Sequence, residues 1–198
     1  MTIYTLIGAT TTRAARVQWM LEELGVTFDH HAVKPHDGAV TQHYPSGKVP
    51  VLLVDGEPIT DSAAILQFLA DKHGRFTYPA GTIERARQDA LTHAILDEFD
   101  AVLWTAARHS FILPEDKRVP EVKESLRWEF TRNQAGFVKR MGDGPFLMGD
   151  TMTVPDILLA HCLLWARAAK FDVTEPRLLE FLGHMRDRDA FKRVYAKP

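Results

Sequence analysis

Several small groups of polar residues in this 198-residue chain have the types and placement to do chemistry. Thr10, Thr11 and Thr12 stand between an apolar run and an amphipathic stretch, with Arg13 directly after them. Hydroxyls at a helix start either cap its free N–H groups or donate a hydrogen bond to an anion held there. Asp61 and Ser62 stand where a strand ends and a helix begins. The N–H groups that point out of such a start, together with a serine hydroxyl, suit a carboxylate, while Asp61 can equally serve as the cap. Lys48, Val49 and Pro50 read, on their own, as a proline opening an edge strand beside an exposed lysine. Further on, Trp104, Arg108, His109 and Phe111 group on one helical stretch as core residues or as the wall of an apolar pocket.

Other chemistries are disfavoured. The nine histidines show no ligand spacing, and adjacent His30 and His31 on a strand point to opposite faces, so no metal site is expected. The one cysteine, Cys162, excludes an intrachain disulfide and fits a reducing compartment.

The elements that must carry these groups follow from periodicity. Residues 3–7 (IYTLI) read as a buried strand, and a helix from about Arg13 places Val17, Met20, Leu21 and Leu24 on one face before Gly25. Residues 27–33 complete a βαβ unit with parallel strands. Residues 34–48 form a long loop with at most a short helical turn. Residues 49–54, the Asp55-Gly56 turn and residues 58–60 form an antiparallel hairpin. A helix over 62–73 turns Ile65, Phe68 and Leu69 inward and stops at Gly74. After a connector rich in proline and glycine the chain reads helical throughout, over about 84–108, 120–140, 155–169 and 175–195. The domains expected are an α/β unit over 1–76, a linker over 77–83 and an all-α unit over 84–198. Met152-Thr153-Val154-Pro155-Asp156 is a helix start, with Thr153 and Asp156 as a capping box and Met152 and Ile157 as its hydrophobic staple.

The composition is that of an ordinary globular protein, 45% hydrophobic and 25% charged. A formal net charge of -2 offers nothing to polyanions, so nucleic acid is an unexpected partner. The start of the chain does not read as a signal peptide, and its longest apolar stretch falls short of the ~20 residues a bilayer needs. A cytoplasmic protein without membrane contact is expected.

The run RVQWMLEELG, the GKVPVL and DSAAI segments and the TVPD box resemble cytosolic glutathione transferases in order and spacing, over essentially the whole chain. The resemblance implies a thioredoxin-like N-terminal domain (βαβ-ββα) and an all-α C-terminal domain. It implies reduced glutathione as co-substrate, a small-molecule electrophile as partner, a homodimer with the Asp61-Ser62 region near its interface, and a role in detoxification. Pro50 would follow a cis peptide bond, and Val49 would offer its backbone N–H and C=O to the cysteinyl part of glutathione like an added strand. Lys48, and His36 from the preceding loop, would meet the glycyl carboxylate. Ser62 would hold the γ-glutamyl carboxylate and Asp61, where the family more often has glutamate, the amino group. Arg13 would add positive field or reach a carboxylate.

The family's activating tyrosine has no counterpart at Ile7, and Cys162 lies far from the first helix. The serine-type position, about four residues before the Arg16-Val17 pair, falls on Thr12, or on Thr11 in another alignment. A free thiol has a pKa near 8.5, and lowering it by about two units takes about 2.7 kcal/mol. One hydrogen bond to the thiolate contributes about 1.5–3 kcal/mol and a helix N-terminus about 0.3–1 kcal/mol, which suffices. Trp104, Arg108, His109 and Phe111 would wall the electrophile's site. Isomerase, peroxidase and purely ligand-binding members share these features.

Overall fold

The structure is a computed structural model that describes residues 2–196. In chain order its elements are β1 (Tyr4–Ile7), α1 (Ala14–Leu24), β2 (Asp29–His31), α2 (Gly38–Thr41), β3 (Val51–Val54), β4 (Glu57–Thr60), α3 (Ser62–His73), α4 (Ile83–Ile95), α5 (Ala101–Ala107), α6 (Val122–Phe137), α7 (Val154–Ala168), α8 (Pro176–Asp187) and α9 (Asp189–Tyr195). They form two compact units, one of the residues up to Pro79 with those from Arg186 onward, the other Ala80–Met185.

The first unit is built on a mixed sheet of order β2-β1-β3-β4, with β1 and β2 parallel and the other pairs antiparallel. Its register matters most at one end. Ile7 pairs with His31 on one side and with Val51 on the other, and Val51 pairs with Thr60. The exits of β1, β2 and β4 and the entry to β3 therefore share one edge, where Gly8–Arg13, the loop after His31, Lys48–Pro50 and Asp61–Ser62 all emerge.

Helix α1 forms as its spacing demands, with Val17, Met20, Leu21 and Leu24 buried and Gly25 closing it at φ 69°. The Asp55-Gly56 turn has φ of 52° and 92°, the left-handed pair that a tight hairpin requires. Strand β2 is shorter than its sequence suggests, and after it the Val33 N–H folds back onto the His31 carbonyl at 2.9 Å. Phe68 is half-buried rather than inward. Ile65, Leu66, Leu69 and Ala70 form the buried face of α3, and the Lys72 ammonium lies 5.8 Å from the centre of the Phe68 ring. In the 34–48 loop α2 supplies one buried residue, Val40, which packs with Ile7 and Val51.

Helix α9 lies against α1. Phe191 meets Trp19 edge-on at 5.0 Å, Arg188 forks onto Glu23 at 2.6 and 2.7 Å, and Arg193 bonds Glu22 at 2.6 Å. Burial pushes the Tyr195 phenol up to about 12 against the lowering pull of Arg16, so it stays protonated.

In the second unit the long stretch expected over about 84–108 begins at Ile83 and runs to Ile112 with π-helical turns at Leu96–Asp100 and Arg108–Ile112. Phe99 packs edge-on against Phe130 and Phe137 of α6 at 5.4 and 5.2 Å. The buried amide of Gln134 donates to the Asp172 carbonyl at 2.8 Å and accepts the Thr174 N–H at 2.9 Å. No helix among the described residues is long and apolar enough to cross a membrane.

The start of α7 carries the expected capping box. The fully buried Asp156 carboxylate accepts the Thr153 N–H at 2.7 Å, the Thr153 hydroxyl at 2.9 Å and the Leu147 N–H at 2.8 Å. The last bond reaches outside the box. Removing the carboxylate strands two buried N–H groups, so Asp156→Ala is expected to cost about 2–4 kcal/mol, above an ordinary cap loss. Urea denaturation checks this, and a loss below about 0.5 kcal/mol contradicts the assignment.

Candidate functional site

Gly8 is the pivot of the shared sheet edge. It has φ 135°, and a Cβ built on it would stand 2.9 Å from the Cβ of Val49 and 3.0 Å from that of Ala14. Only a residue without a side chain lets the β1–α1 loop lie against the Lys48–Pro50 segment. The loop is pinned from β2 as well: Gly8 N–H donates to the His31 carbonyl and Ala9 N–H to the Val33 carbonyl, both at 2.9 Å. His30 Nε2 donates to the Gly8 carbonyl at 2.8 Å, which fixes the tautomer with its proton on Nε2.

Thr10 and Thr12 are tied down within this loop. Thr10 donates to Gln18 Oε1 at 2.8 Å. The Thr12 hydroxyl donates to the Ala9 carbonyl at 2.7 Å and accepts the Ala14 N–H at 3.1 Å, so it closes the turn that starts α1. Thr11 is exposed and its hydroxyl bonds no other described residue. Arg13 is half-buried beside it.

The peptide bond between Val49 and Pro50 is cis. Val49 packs its side chain on the Ile7, Val40 and Val51 cluster, while its backbone N–H and C=O bond no other described residue. Lys48 is exposed. His36, at φ 67°, is drawn alongside by its N–H bond to the Gly47 carbonyl at 2.8 Å, and its ring lies against the place a Gly47 Cβ would occupy.

Directly after Thr60 the hairpin register brings Asp61 and Ser62 to the same edge. Asp61 adopts φ 68° and ψ 120°, a conformation unusual for a residue with a side chain. Its Oδ1 caps α3 by accepting Ala63 N–H at 2.9 Å and Ala64 N–H at 3.1 Å, and Oδ2 bonds no other described residue. Ile65 N–H is taken by the Asp61 carbonyl at 2.9 Å. Of the first N–H groups of α3, that of Ser62 is left open among the described residues. The Ser62 side chain is 4% exposed, and its Oγ accepts from Arg16 Nη1 at 3.2 Å, so its own proton is free to be donated elsewhere.

Arg16, 1% exposed, is the residue that sequence reasoning passed over. Its signal was an arginine on the apolar face of α1, one position before Val17 and one turn before Met20. Gly8 and His30 were also passed over.

The residues expected around the electrophile lie in the second unit. Trp104 and Arg108 are half-buried, one turn apart, at the end of α5 and the start of the π turn. Arg108 Nη2 donates to Thr105 Oγ1 at 3.0 Å. His109 Nδ1 accepts the Val119 N–H at 3.1 Å, and Phe111 is 67% exposed. Cys162 is fully buried in α7, its Sγ 3.9 Å from Asp100 Oδ2.

Comparison with known proteins agrees with this arrangement. Residues 12–72 match the family described as glutathione S-transferase, N-terminal domain. Glutathione S-transferase A4 of Homo sapiens is 28% identical over 161 residues, 77% of this chain and 68% of that protein. A maleylacetoacetate isomerase of Rhizobium meliloti (strain 1021) is 31% identical over 165 residues, 78% of this chain and 76% of that protein. A solved glutathione transferase from Methylococcus capsulatus str. Bath has a TM-score of 0.82 at 26% identity, covering 96% of each chain. With a four-stranded mixed sheet followed by a helical unit, an edge built around a cis-proline and relatives that span most of its length, this chain belongs to the cytosolic glutathione S-transferase family.

Proposed function

We propose that this chain conjugates reduced glutathione to electrophilic small molecules in the cytoplasm, with the first unit holding glutathione and the helical unit holding the electrophile. One observation carries the reading: at a single sheet edge, the backbone N–H and C=O of Val49 and the N–H and hydroxyl proton of Ser62 are donors and acceptors without intramolecular partners. A peptide-like ligand with a carboxylate at one end satisfies them. Its cysteinyl amide pairs with Val49 as an added strand, and its γ-glutamyl carboxylate takes the Ser62 N–H and Oγ–H. Its ammonium meets the open Oδ2 of Asp61, and its glycyl carboxylate meets Lys48 and His36.

The thiol then lies toward the threonine loop and the start of α1. Thr12 must release the Ala9 carbonyl before it can donate to sulfur, whereas Thr11 breaks no bond to do so. Thr11 is therefore the preferred donor and Thr12 the N-terminal lock of α1, with Arg13 adding positive field. The ionised sulfur attacks the electrophilic carbon, an S–C bond forms, and the leaving group departs with its electron pair. The chain is proposed to act as a homodimer, and light scattering should give the mass of two chains.

A second reading, favoured by the 31% identity to a maleylacetoacetate isomerase, uses the same thiolate to isomerise a double bond and returns glutathione unchanged. Consumption of glutathione with 1-chloro-2,4-dinitrobenzene separates the two. A third reading, a ligand carrier without turnover, draws on the engagement of Thr12 with Ala9.

Titrating the ultraviolet thiolate absorbance of bound glutathione tests the donor assignment. Thr11→Ala is expected to raise the pKa of the bound thiol by about one unit or more, the loss of a single charged hydrogen bond. Thr12→Ala is expected to lower stability by about 0.5–2 kcal/mol with a smaller change in thiol pKa. The reverse pattern makes Thr12 the donor, and no change in either variant removes the hydroxyl from the mechanism.

Gly8→Ala tests the edge itself, since the new methyl drives the threonine loop away from Val49. Glutathione affinity by calorimetry is expected to fall about tenfold or more, a cost of about 1.4 kcal/mol. An unchanged affinity contradicts the placement of the ligand against Val49.

A further inference from the structure

Arg108 differs from Arg85, Arg118 and Arg140 of the helical unit in how its guanidinium is held. Arg85 pairs with Asp89 at 2.9 Å, Arg140 pairs with Glu98, and Arg118 reaches the Leu113 carbonyl at 2.8 Å. Arg108 has one hydrogen bond, from Nη2 to the neutral Thr105 hydroxyl at 3.0 Å. Its Nε is fully shielded from solvent without a hydrogen-bond partner, and no acidic side chain among the described residues pairs with it. None is available nearby in sequence either, since the chain from Ala101 to Pro114 contains no aspartate or glutamate. A guanidinium cannot shed its proton, so a shielded N–H left without an acceptor carries an uncompensated cost.

A second, independent feature lies at the same residue. Arg108 opens a π-helical turn, with its carbonyl accepting the Leu113 N–H at 3.0 Å. Such turns widen a helix locally and recur at functional sites. Trp104, half-buried, stands one turn before it on the same helical stretch.

We propose that Arg108 is the recognition residue for an anionic electrophile: the second substrate of this chain carries a carboxylate that docks on the terminal N–H groups of the guanidinium. The proposal rests on the transferase reading for the fate of that substrate, but not for its binding. A carboxylate accepts N–H bonds from the terminal nitrogens of the planar fork and neutralises the charge, which no neutral electrophile of the same shape achieves.

The test compares 4-chloro-3-nitrobenzoate with 4-chloro-3-nitrobenzamide, which share a ring and leaving group and differ in the anionic group. Binding to the full chain is measured by calorimetry without glutathione, and kcat/KM is measured with it. Each is done for the wild type, Arg108→Gln and Arg108→Lys after circular dichroism has established that the variants fold. The wild type is expected to bind the carboxylate at least tenfold more tightly than the amide. Arg108→Gln should lose at least tenfold in affinity and kcat/KM for the carboxylate and less than threefold for the amide, with the KM for glutathione unchanged and Arg108→Lys in between. Equal affinity of the wild type for the two compounds, or an equal loss for both in Arg108→Gln, overturns the proposal. Discrimination in binding without formation of a conjugate from either compound leaves the anion site standing and overturns the transferase reading instead.

Discussion

The close approach of Gly8 to Val49 is the constraint on which the rest of the first unit depends. A Cβ at Gly8 would lie within 3.0 Å of two neighbouring Cβ atoms, so the loop after β1 and the segment before β3 share a space that admits backbone alone. That contact sets how near the start of α1 comes to the open N–H and C=O of Val49. It is enforced from three sides: from the sheet by the pairing of Ile7 with Val51, from β2 by the bonds of His31 and Val33 to Gly8 and Ala9, and from the His30 ring through the Gly8 carbonyl. Loops are ordinarily the mobile part of a fold. This one is tied by the bonds of Gly8 and Ala9 to β2, of His30 to Gly8 and of Thr12 to Ala9.

The second corner of the edge is held by charge rather than by shape. Asp61 adopts a left-handed φ and spends one carboxylate oxygen on two N–H groups of α3. Behind it, buried Arg16 places a cation against the Ser62 hydroxyl and leaves that hydroxyl one direction in which to donate. Strain of this kind, one to a few kcal/mol at a single residue, persists where surrounding bonds over-determine the conformation, and it concentrates at sites that bind.

Much of this was legible in the residues. The βαβ unit, the Asp55-Gly56 hairpin, α3 and the capping box at Thr153 and Asp156 follow from local spacing, because each is decided within about a dozen residues. The cis-proline and the edge it serves were legible through family resemblance rather than periodicity. What escaped was non-local. Arg16 reads as a helix residue until Ser62, 46 positions away, is seen against it. His30 reads as half of an unremarkable pair until its ring meets Gly8, and the engagement of Thr12 with Ala9 is invisible because three adjacent threonines look alike. The π turns leave no mark in a helical period, and the switch in composition near residue 76 gives no hint that α9 returns to α1.

The two units also differ in the kind of group they leave open. In the first, the open groups include backbone, the N–H and C=O of Val49 and the N–H of Ser62, beside the side chains of Thr11, Asp61 and Ser62. Backbone donors cannot be altered by substitution without rebuilding the loop that carries them, which suits a ligand that stays constant while partners vary. In the second, an open group is a side chain, the guanidinium of Arg108, at the end of a helix whose Val102, Leu103, Ala106 and Ala107 are buried. Specificity carried by side chains on a rigid helix can be exchanged one residue at a time, and specificity carried by backbone cannot.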